Sequence, residues 1–206
     1  MGMEQSSDRR IIRTKQFITE AFLALLQEKS FKEIVIKEIT ERANVNRSTF
    51  YAYYSDKDDL LIKMVEGKLT ELNAIFTEDK AGRLEAYLPR FDSSDPFFIA
   101  LFDHLEANET FYRVLLTKLD PAASSYYSDK MIAVIRDAFY WRISNIPMDY
   151  KQAVPQDLLL DYVSFSTFHL AKKWLEQRMV YSSRHMALQL TRLSFLGSYQ
   201  AMGLLD

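Results

Sequence analysis

The chain has 206 residues, which is enough to bury a core without a disulfide or metal staple and allows one domain or two small ones. It has no cysteine and only three histidines, His104, His169 and His185, which excludes thiol chemistry and a zinc site of the usual ligand spacing. The formal net charge of -2 does not indicate a nucleic-acid binder.

The first predicted element is a helix from Asp8 to Lys29, because apolar side chains recur there at helical spacing. Four cations cluster near its start, namely Arg9, Arg10, Arg13 and Lys15. Residues 1–63 carry eleven Lys and Arg against ten Asp and Glu, about +1, which leaves about -3 for the rest of the chain. Any phosphate contact must therefore come from a few well-placed cations.

A second and a third helix are predicted to follow, joined by a tight turn. Ile36, Ile39 and Ala43 mark one apolar face of the second helix. Asn44 tolerates the left-handed backbone conformation that such a turn uses, and Asn46 stands where the next helix needs an N-cap. Two helices joined this tightly must cross steeply, so the pattern predicts a helix-turn-helix that reads the DNA major groove.

The third helix is predicted to bury one face and to expose the other. Phe50 and Tyr54 lie four residues apart and can enter a core with Ile39 and Val45. The opposite face then presents groups that can donate hydrogen bonds. Its members are Arg47, Ser48 and Tyr51.

A long fourth helix is predicted over residues 56–78. Ser55 followed by Asp58 has the spacing of a capping box, and an apolar series from Leu61 to Phe76 continues for about five turns. Such a helix can connect two functional regions. We therefore divide the chain into a DNA-binding domain, residues 1–55, and a regulatory and dimerisation domain, residues 56–206.

The rest of the chain is predicted to be helical, because Gly and Pro punctuate segments of helical length and no β-branched run alternates with polar residues. The predicted spans are 97–108, 109–119, 127–146, 156–179 and 184–202. The expected fold class is all-α, with an N-terminal three-helix domain and a C-terminal helical bundle.

The sequence predicts a cytoplasmic protein. The longest apolar run, Ala21 to Leu26, is too short to cross a bilayer. The first residues are polar instead of forming the apolar core of a signal peptide. We expect no membrane partner, no metal and no cofactor.

The last predicted helix carries a stripe of small residues along which a second helix can approach closely. The stripe consists of Ala187, Thr191, Ser194, Ser198 and Ala201. Leu190 lies beside it and is included in the predicted interface. The preceding helix also has more apolar residues than one neighbour can cover. This surplus predicts a two-fold, four-helix interface between subunits. The alternative is that both helices lie at the centre of a monomeric bundle, and periodicity alone does not separate the two.

The first third of the chain resembles the tetracycline-repressor (TetR) family of bacterial transcription regulators. The matching segments are Ile36-Lys37-Glu38-Ile39 with Ala43, Asn46-Arg47-Ser48-Thr49-Phe50-Tyr51, and Lys57-Asp58-Asp59-Leu60-Leu61. The resemblance implies that Arg47 and Ser48 face bases, and the guanidinium can address guanine O6 and N7. The other DNA contacts that we expect are Lys37 and the phosphate-facing Asn46, Thr49, Tyr51, Tyr53 and Lys57.

The chain departs from the family pattern at two positions. Val35 stands where many relatives have a threonine that caps the second helix and touches a phosphate. Asn44 replaces a frequent glycine, which the turn tolerates at a modest conformational cost. Neither departure removes a groove-facing residue.

The expected function is that of a homodimeric repressor, because a dimer that reads two half-sites about 34 to 36 Å apart recognises a longer operator. A small hydrophobic or aromatic effector in the body would shift the fourth helix and release the DNA. Candidate effector-binding residues are Phe98, Phe102, His104, Tyr112, Trp141, Phe165 and His169.

Consecutive aromatic residues in the body single out one of these candidates. Phe139, Tyr140 and Trp141 point about 100° apart on a helix, so at least one should line a cavity or an interface, and we select Trp141. For His169 the competing interpretation is a hydrogen-bonded core histidine. Tyr126 and Tyr127 are further candidates for the cavity wall, and the competing interpretation places them on a surface loop.

Two other classes of function remain open at this point. An enzyme or small-molecule carrier would need a catalytic motif or a phosphate-binding loop, and none is recognisable in the sequence. The second alternative keeps the fold but makes the protein a transcriptional activator, or a DNA-bound platform that a protein partner controls.

Overall fold

The computed structural model describes residues 2–82, 92–144 and 154–197, and it is helical wherever it has regular structure in these ranges. Its helices are α1 Gly2–Glu28, α2 Ile36–Arg42, α3 Arg47–Tyr51, α4 Lys57–Gly82, α5 Pro96–Ala107, α6 Glu109–Thr117, α7 Pro121–Ser144, α8 Gln156–Glu176 and α9 Ser183–Thr191. A short 3-10 turn, Phe31–Glu33, links α1 to α2. The predicted all-α fold class is confirmed.

The N-terminal helices contribute large side chains to the hydrophobic core, which continues into the body. Phe22 of α1, Ile39 of α2 and Phe50 of α3 are each fully buried. Tyr54 is also buried, with its ring centroid 5.6 Å from that of Phe50. The pair that was predicted to enter the core therefore does so, and the remaining face of α3 is left for solvent.

The cap of α4 lies one residue later than predicted. The side chain of Asp56 accepts a hydrogen bond from the backbone N–H of Asp59 (2.7 Å), and the Asp59 carboxylate accepts one from the backbone N–H of Ser55 (2.9 Å). The predicted pair of Ser55 and Asp58 is therefore wrong as a capping box. The cause is local, since Asp56 and Asp59 have the same spacing and a carboxylate is an equally good N-cap.

In the C-terminal part, α5 packs against α9, α7 packs against α8, and α4 packs against both α5 and α7. Helix α6 contacts α7 and α8 on one side and α1 on the other. The body therefore meets the N-terminal helices through the continuous α4 and through the α1–α6 contact.

Helix α7 begins at Pro121, six residues before its predicted start. The Asp120 side chain accepts a hydrogen bond from the backbone N–H of Ala123 (3.1 Å), and proline suits the first helical position. Tyr126 and Tyr127 consequently lie on a helix, and the interpretation that places them on a surface loop is wrong. Tyr127 is buried and Tyr126 is half exposed.

The part of the small-residue stripe that lies on α9 packs inside the subunit instead of facing another one. Ala187, Leu190 and Thr191 are buried where α9 meets α5. The Thr191 hydroxyl accepts a hydrogen bond from the backbone N–H of Asp95 and donates one to the Ala187 carbonyl, each at 2.8 Å. The assignment of these three residues to a dimer interface must therefore be corrected.

Beyond Thr191 the helix widens into a π-helical turn, Arg192–Leu196, which ends at Gly197 with a φ of 81°. Ser194 is half-buried in this turn. Ser198 and Ala201, the other two members of the predicted stripe, lie outside the described residues, as does the rest of the predicted helix after residue 197.

Helix α8 exposes an apolar stripe on the side opposite its buried face. Leu158, Tyr162 and Phe165 are 59%, 60% and 47% exposed, and His169 continues the row. The spacing of four, three and four residues places the row along one side of the helix. We call these four residues the α8 face. His169 is thus not a core histidine, and its Nδ1 lies 2.8 Å from the Phe165 carbonyl.

Candidate DNA-binding surface

The recognition edge begins at Asn46, which occupies the N-cap position of α3 with φ of -72° and ψ of 149°. Its side chain makes no capping hydrogen bond and is exposed. Arg47, Ser48 and Tyr51 are also exposed, whereas Phe50 between them is fully buried. One helix therefore fixes the core and presents a continuous polar edge, as the sequence predicted.

The turn between α2 and α3 has the predicted left-handed residue, since Asn44 has a φ of 52°. The Val45 backbone N–H donates to the Thr40 carbonyl (3.0 Å) and closes the turn. At the start of α2, Glu38 accepts a hydrogen bond from the Val35 backbone N–H (3.1 Å). Glu38 thereby satisfies that N–H although Val35 has no side-chain group for capping.

Arg47 and Tyr51 form a pair one helical turn apart. The guanidinium donates to the Tyr51 hydroxyl (3.1 Å), and its central carbon lies 5.5 Å from the centre of the Tyr51 ring. The ring packs edge-on against Phe50, with centroids 5.7 Å apart. The stacked phenol limits the rotamers of Arg47, so the group that could read a base is held by the core through Tyr51.

The residues expected to hold phosphates differ in how accessible they are. Tyr53 and Thr49 are half-buried. The ammonium of Lys15 on α1 lies 5.4 Å from the centre of the Tyr53 ring, which places the middle of α1 beside the residues that follow α3. Lys37 is exposed and pairs loosely with Glu41 at 3.7 Å. These groups border the edge of α3, as a phosphate-binding rim requires.

Lys57 has a different environment from the other predicted phosphate contacts. Its Nζ donates hydrogen bonds to the backbone carbonyls of Phe31 (2.8 Å), Ile34 (2.9 Å) and Lys32 (3.3 Å). Nζ also lies 4.6 Å from the centre of the Phe31 ring. The ammonium is therefore directed toward the link between α1 and α2.

Internal ion pairs neutralise several cations of the N-terminal domain. Lys29 pairs with Glu38, Arg42 with Glu28, and Lys63 with Asp59. The hydrogen bond from Arg42 lowers the pKa of Glu28, and the one from Lys29 lowers the pKa of Glu38, so both carboxyl groups stay ionised at neutral pH. Cations without an acidic partner in the described part of the chain include Arg9, Arg10, Arg13, Lys15 and Arg47. They lie on α1 and α3, so a small excess of charge is placed at the edge that would meet DNA.

The predicted effector-binding residues do not share one cavity. Phe98, Phe102, His104 and Tyr112 are buried in the core between helices, whereas Phe165 and His169 belong to the exposed α8 face. Trp141 does line a small cavity between α4, α5 and α7. The other residues around this cavity are Ile75, Phe76, Phe97, Ala100, Ala138 and Arg142. Its volume of about 20 Å³ accommodates roughly one water molecule.

His104 and Tyr112 form a buried hydrogen-bonded pair, with Nε2 of the imidazole 2.8 Å from the phenol oxygen. Burial lowers the pKa of His104 and raises that of Tyr112. Both groups are therefore neutral at neutral pH, which fits a structural bond between α5 and α6.

Sequence reasoning did not identify Asp95, although it connects three helices of the body. Its carboxylate accepts a hydrogen bond from the Phe97 backbone N–H (2.7 Å), which caps α5, and it forms an ion pair with Arg142 of α7. Its own N–H donates to Thr191 of α9. The Asp95-Pro96 step before an apolar run is a helix-start signal, so the cap was recognisable, but the partners on α7 and α9 were not.

The described residues give no sign of two other kinds of site. No group of three or more His, Cys, Asp or Glu side chains in these ranges is arranged to hold a metal ion. None of the helices in this part of the chain is long and apolar enough to cross a membrane.

Two curated proteins are similar to part of this chain. YxbF of Bacillus subtilis (strain 168), an uncharacterized HTH-type transcriptional regulator, is 39% identical over 70 residues, which is 34% of this chain and 18% of YxbF. DhaS of Lactococcus lactis subsp. lactis (strain IL1403), the dhaKLM operon transcriptional activator, is 31% identical over 64 residues, which is 31% of this chain and 34% of DhaS. These matches span well under two thirds of either relative.

Solved structures resemble the chain over most of its length. A TetR transcriptional regulator from Streptococcus agalactiae 2603V has 25% identity and a TM-score of 0.62, covering 93% of this chain and 98% of that one. FadR from Bacillus subtilis, in complex with stearoyl-CoA, has 15% identity and a TM-score of 0.66, covering 89% and 98%. The second likeness concerns the fold alone.

Two family models match the chain, one ending within the first turns of α4 and the other beginning after α4 has ended. The model described as bacterial regulatory proteins of the tetR family matches residues 18–64, which contain α2, α3 and the start of α4. The model described as a transcriptional regulator C-terminal region matches residues 92–195, half of the chain. Together with the exposed polar edge of α3, these matches show that the protein belongs to the TetR family of bacterial transcriptional regulators.

Proposed function

We propose that this protein is a homodimeric transcriptional repressor that binds operator DNA through α3 and leaves it when a small hydrophobic or aromatic effector binds the body. Operator DNA lies in the cytoplasm, where we place the protein. The observation that carries the proposal is the exposed edge from Asn46 to Tyr51, which is braced from behind by the buried Phe50. We assign the protein no enzymatic activity.

Within this edge, Arg47 and Ser48 face bases, and Asn46, Thr49, Tyr51 and Tyr53 hold phosphates. The cations Arg9, Arg10, Arg13 and Lys15 extend the phosphate contacts along α1. Lys15 beside Tyr53 supports this extension, because it places that helix next to the residues that follow α3. Lys37 contacts the backbone from the start of α2.

We place the dimer interface on the α8 face, and we add the exposed Leu193 of the π-helical turn that follows α9. The face offers three large apolar side chains along about two helical turns, with His169 one turn further on, and such a row on a subunit surface is costly unless it is covered. A two-fold axis at this helix brings the same row of a second subunit against it. Two recognition helices can then meet one face of the duplex.

The effector is expected to act at the cavity between α4, α5 and α7. Phe76, Phe97 and Trp141 give it aromatic walls, and Arg142 gives it one cation. The cavity must open to accept anything larger than water, and opening would displace α4, which runs directly into the DNA-binding domain. FadR from Bacillus subtilis is one protein of this fold with a bound ligand, stearoyl-CoA, whose acyl chain is apolar.

The main test is Arg47→Ala. We expect it to weaken binding to an operator, selected from a random DNA library with the unaltered protein, by about 1 to 3 kcal/mol and to relax base preference at one position of each half-site. The measurement is an electrophoretic shift with sequencing of the bound fraction.

Lys118→Ala, which removes an exposed cation after α6, serves as the matched control and should bind like the unaltered protein. Unchanged affinity and base preference in Arg47→Ala would show that α3 does not read the groove. Failure of the unaltered protein to select any DNA sequence would remove the proposed function itself.

The α8 face is tested by Phe165→Glu. A charge at this position of a two-fold interface should weaken dimerisation by about 2 kcal/mol, or roughly 30-fold, because the carboxylate loses its water and meets its symmetry mate. Analytical ultracentrifugation over a dilution series measures the change. Tyr126→Glu removes an equally exposed aromatic ring from α7 and should leave the association constant unchanged. Equal behaviour of the two variants would place the interface elsewhere.

A second candidate function is transcriptional activation under the control of a protein partner. The small volume of the cavity favours it, since about 20 Å³ cannot hold an effector without rearrangement. DhaS, one of the similar proteins, is itself described as an activator. A thermal-shift screen distinguishes the two functions. Stabilisation of the protein by small apolar compounds would favour the repressor that an effector releases over the activator that a protein partner controls.

A further inference from the structure

Lys57 is the first residue of α4, and its side chain reaches back across the domain to the link between α1 and α2. We infer that Lys57 is a positioning residue that fastens α4 to the DNA-binding domain, so that the two move as one body and the recognition helices keep a fixed separation. The family resemblance implies that this lysine contacts a DNA phosphate. In the structure, Lys57 instead contacts backbone carbonyls of the protein itself. This inference rests on the proposed function, because it concerns how the operator spacing is held.

The geometry uses every hydrogen-bond donor of the ammonium group. An ammonium has three N–H donors and no acceptor, and here three carbonyl oxygens lie 2.8, 2.9 and 3.3 Å from Nζ. They belong to Phe31, Ile34 and Lys32, around the end of the short 3-10 turn. The face of the Phe31 ring, 4.6 Å away, closes the fourth side.

These carbonyls are a firm anchor point. The Phe31 carbonyl also accepts a hydrogen bond from the Ile34 backbone N–H (3.3 Å). Carbonyls at the end of a helical turn carry a partial negative charge, so a cation stabilises them. Phe31 packs edge-on against Phe22 of α1, with centroids 6.1 Å apart, and Ile34 is buried in the same core. Lys57 therefore attaches α4 to the core of the domain as well as to its surface.

Movement of α4 reaches α3 only if the start of α4 is fixed to the domain. The chain between α3 and α4 is short, but a short connection can still pivot. The caps that Asp56 and Asp59 provide bind neighbours in sequence and cannot prevent such a pivot. The bonds of Lys57 cross 23 to 26 residues of sequence and can prevent it.

A phosphate role for Lys57 would require breaking these bonds when DNA binds. Lys15 needs no such change, since it is exposed at the edge of α3 and has no acidic partner in the described residues. The two lysines therefore have opposite expected behaviour in the same assay. This contrast provides a matched control.

The experiment compares Lys57→Met with Lys15→Met, two variants that lose one charge and keep an unbranched apolar chain. Each is titrated with the selected operator over a range of salt, and with operators whose half-sites are one base pair closer or farther apart. We expect Lys57→Met to keep the salt slope of the unaltered protein. Its preference for the correct spacing should fall by roughly tenfold. Lys15→Met should lose roughly 0.9 of slope per phosphate contact and keep the spacing preference.

Lys57→Arg separates charge from geometry and covers the case in which Lys57→Met does not fold. A planar guanidinium suits phosphate but cannot address three converging carbonyls as an ammonium does, so we expect spacing preference to be lost again. Restored binding and spacing preference in Lys57→Arg, or a reduced salt slope in Lys57→Met, would overturn the inference in favour of a phosphate contact. Unchanged spacing preference in both variants would overturn it as well. Either result leaves the proposed function intact, whereas loss of specific binding by the unaltered protein would not.

Discussion

Replacing Asp95 by alanine should lower the free energy of unfolding by about 3 to 4 kcal/mol. The substitution removes the N-cap of α5, which is worth about 1 kcal/mol, and one half of an ion pair whose carboxylate is almost fully buried. The cost stays below that of breaking a fully buried pair, because the Arg142 side chain is 23% exposed and can regain some water. Urea unfolding followed by circular dichroism measures the change.

Asp95→Asn separates the contribution of the N-cap from that of the ion pair with Arg142. The amide has one acceptor oxygen, so it can cap Phe97 or accept from Arg142 but cannot do both. We expect a loss of about half that of the alanine variant. Equal losses in the two variants would show that the ion pair alone matters, and a negligible loss in both would show that α5, α7 and α9 hold together without Asp95.

The N-terminal domain was predictable from sequence because its signals are local. The left-handed turn at Asn44, the N-cap position of Asn46 and the spacing of Phe50 and Tyr54 each depend on a few neighbouring residues. A motif of this kind specifies which side chains turn inward, and burial of Phe50 then determines that Arg47 turns outward. The error at the α4 cap had the same local origin, because two carboxylates competed for one position.

The body was less predictable because periodicity identifies an apolar face but not what covers it. The stripe at Ala187 and Thr191 suggested a second subunit, whereas α5 of the same subunit covers it. Apolar residues of α8 suggested both a core and an interface, and the helix has room for both around its circumference. Contacts between residues as far apart as Asp95 and Arg142 leave no periodic trace in a single sequence.

Prediction from sequence also fails for the direction of one side chain in the candidate DNA-binding surface, that of Lys57. Residue type and motif position predict that Lys57 places a positive charge near DNA. They cannot give the direction of a flexible four-carbon chain, which here depends on carbonyls that come 23 to 26 residues earlier in the sequence. Arg47 was easier, because Tyr51 lies one turn away on the same helix and limits where the guanidinium can go.

Phe50→Ala should have the largest effect of any single change in the DNA-binding domain. The ring is fully buried and contacts the rings of Tyr51 and Tyr54, with centroids 5.7 and 5.6 Å away. Its loss should cost about 3 to 5 kcal/mol, because removing a fully buried ring loses its transfer free energy and leaves a cavity. The α2–α3 unit should then unfold before the body does. Hydrogen exchange of its backbone amides measures this local opening.

Two matched variants isolate the role of Phe50 in DNA binding. Phe98→Ala removes the same atoms from an equally buried site in the body, so it should lower stability by a similar amount while the folded protein still binds operator at low temperature. Phe50→Leu leaves most of the core filled and should cost about 1 kcal/mol with operator binding largely kept. Phe50→Ala alone should lose binding under conditions in which the body remains folded. Binding by Phe50→Ala as tight as that of Phe98→Ala would show that the edge of α3 does not depend on the core behind it.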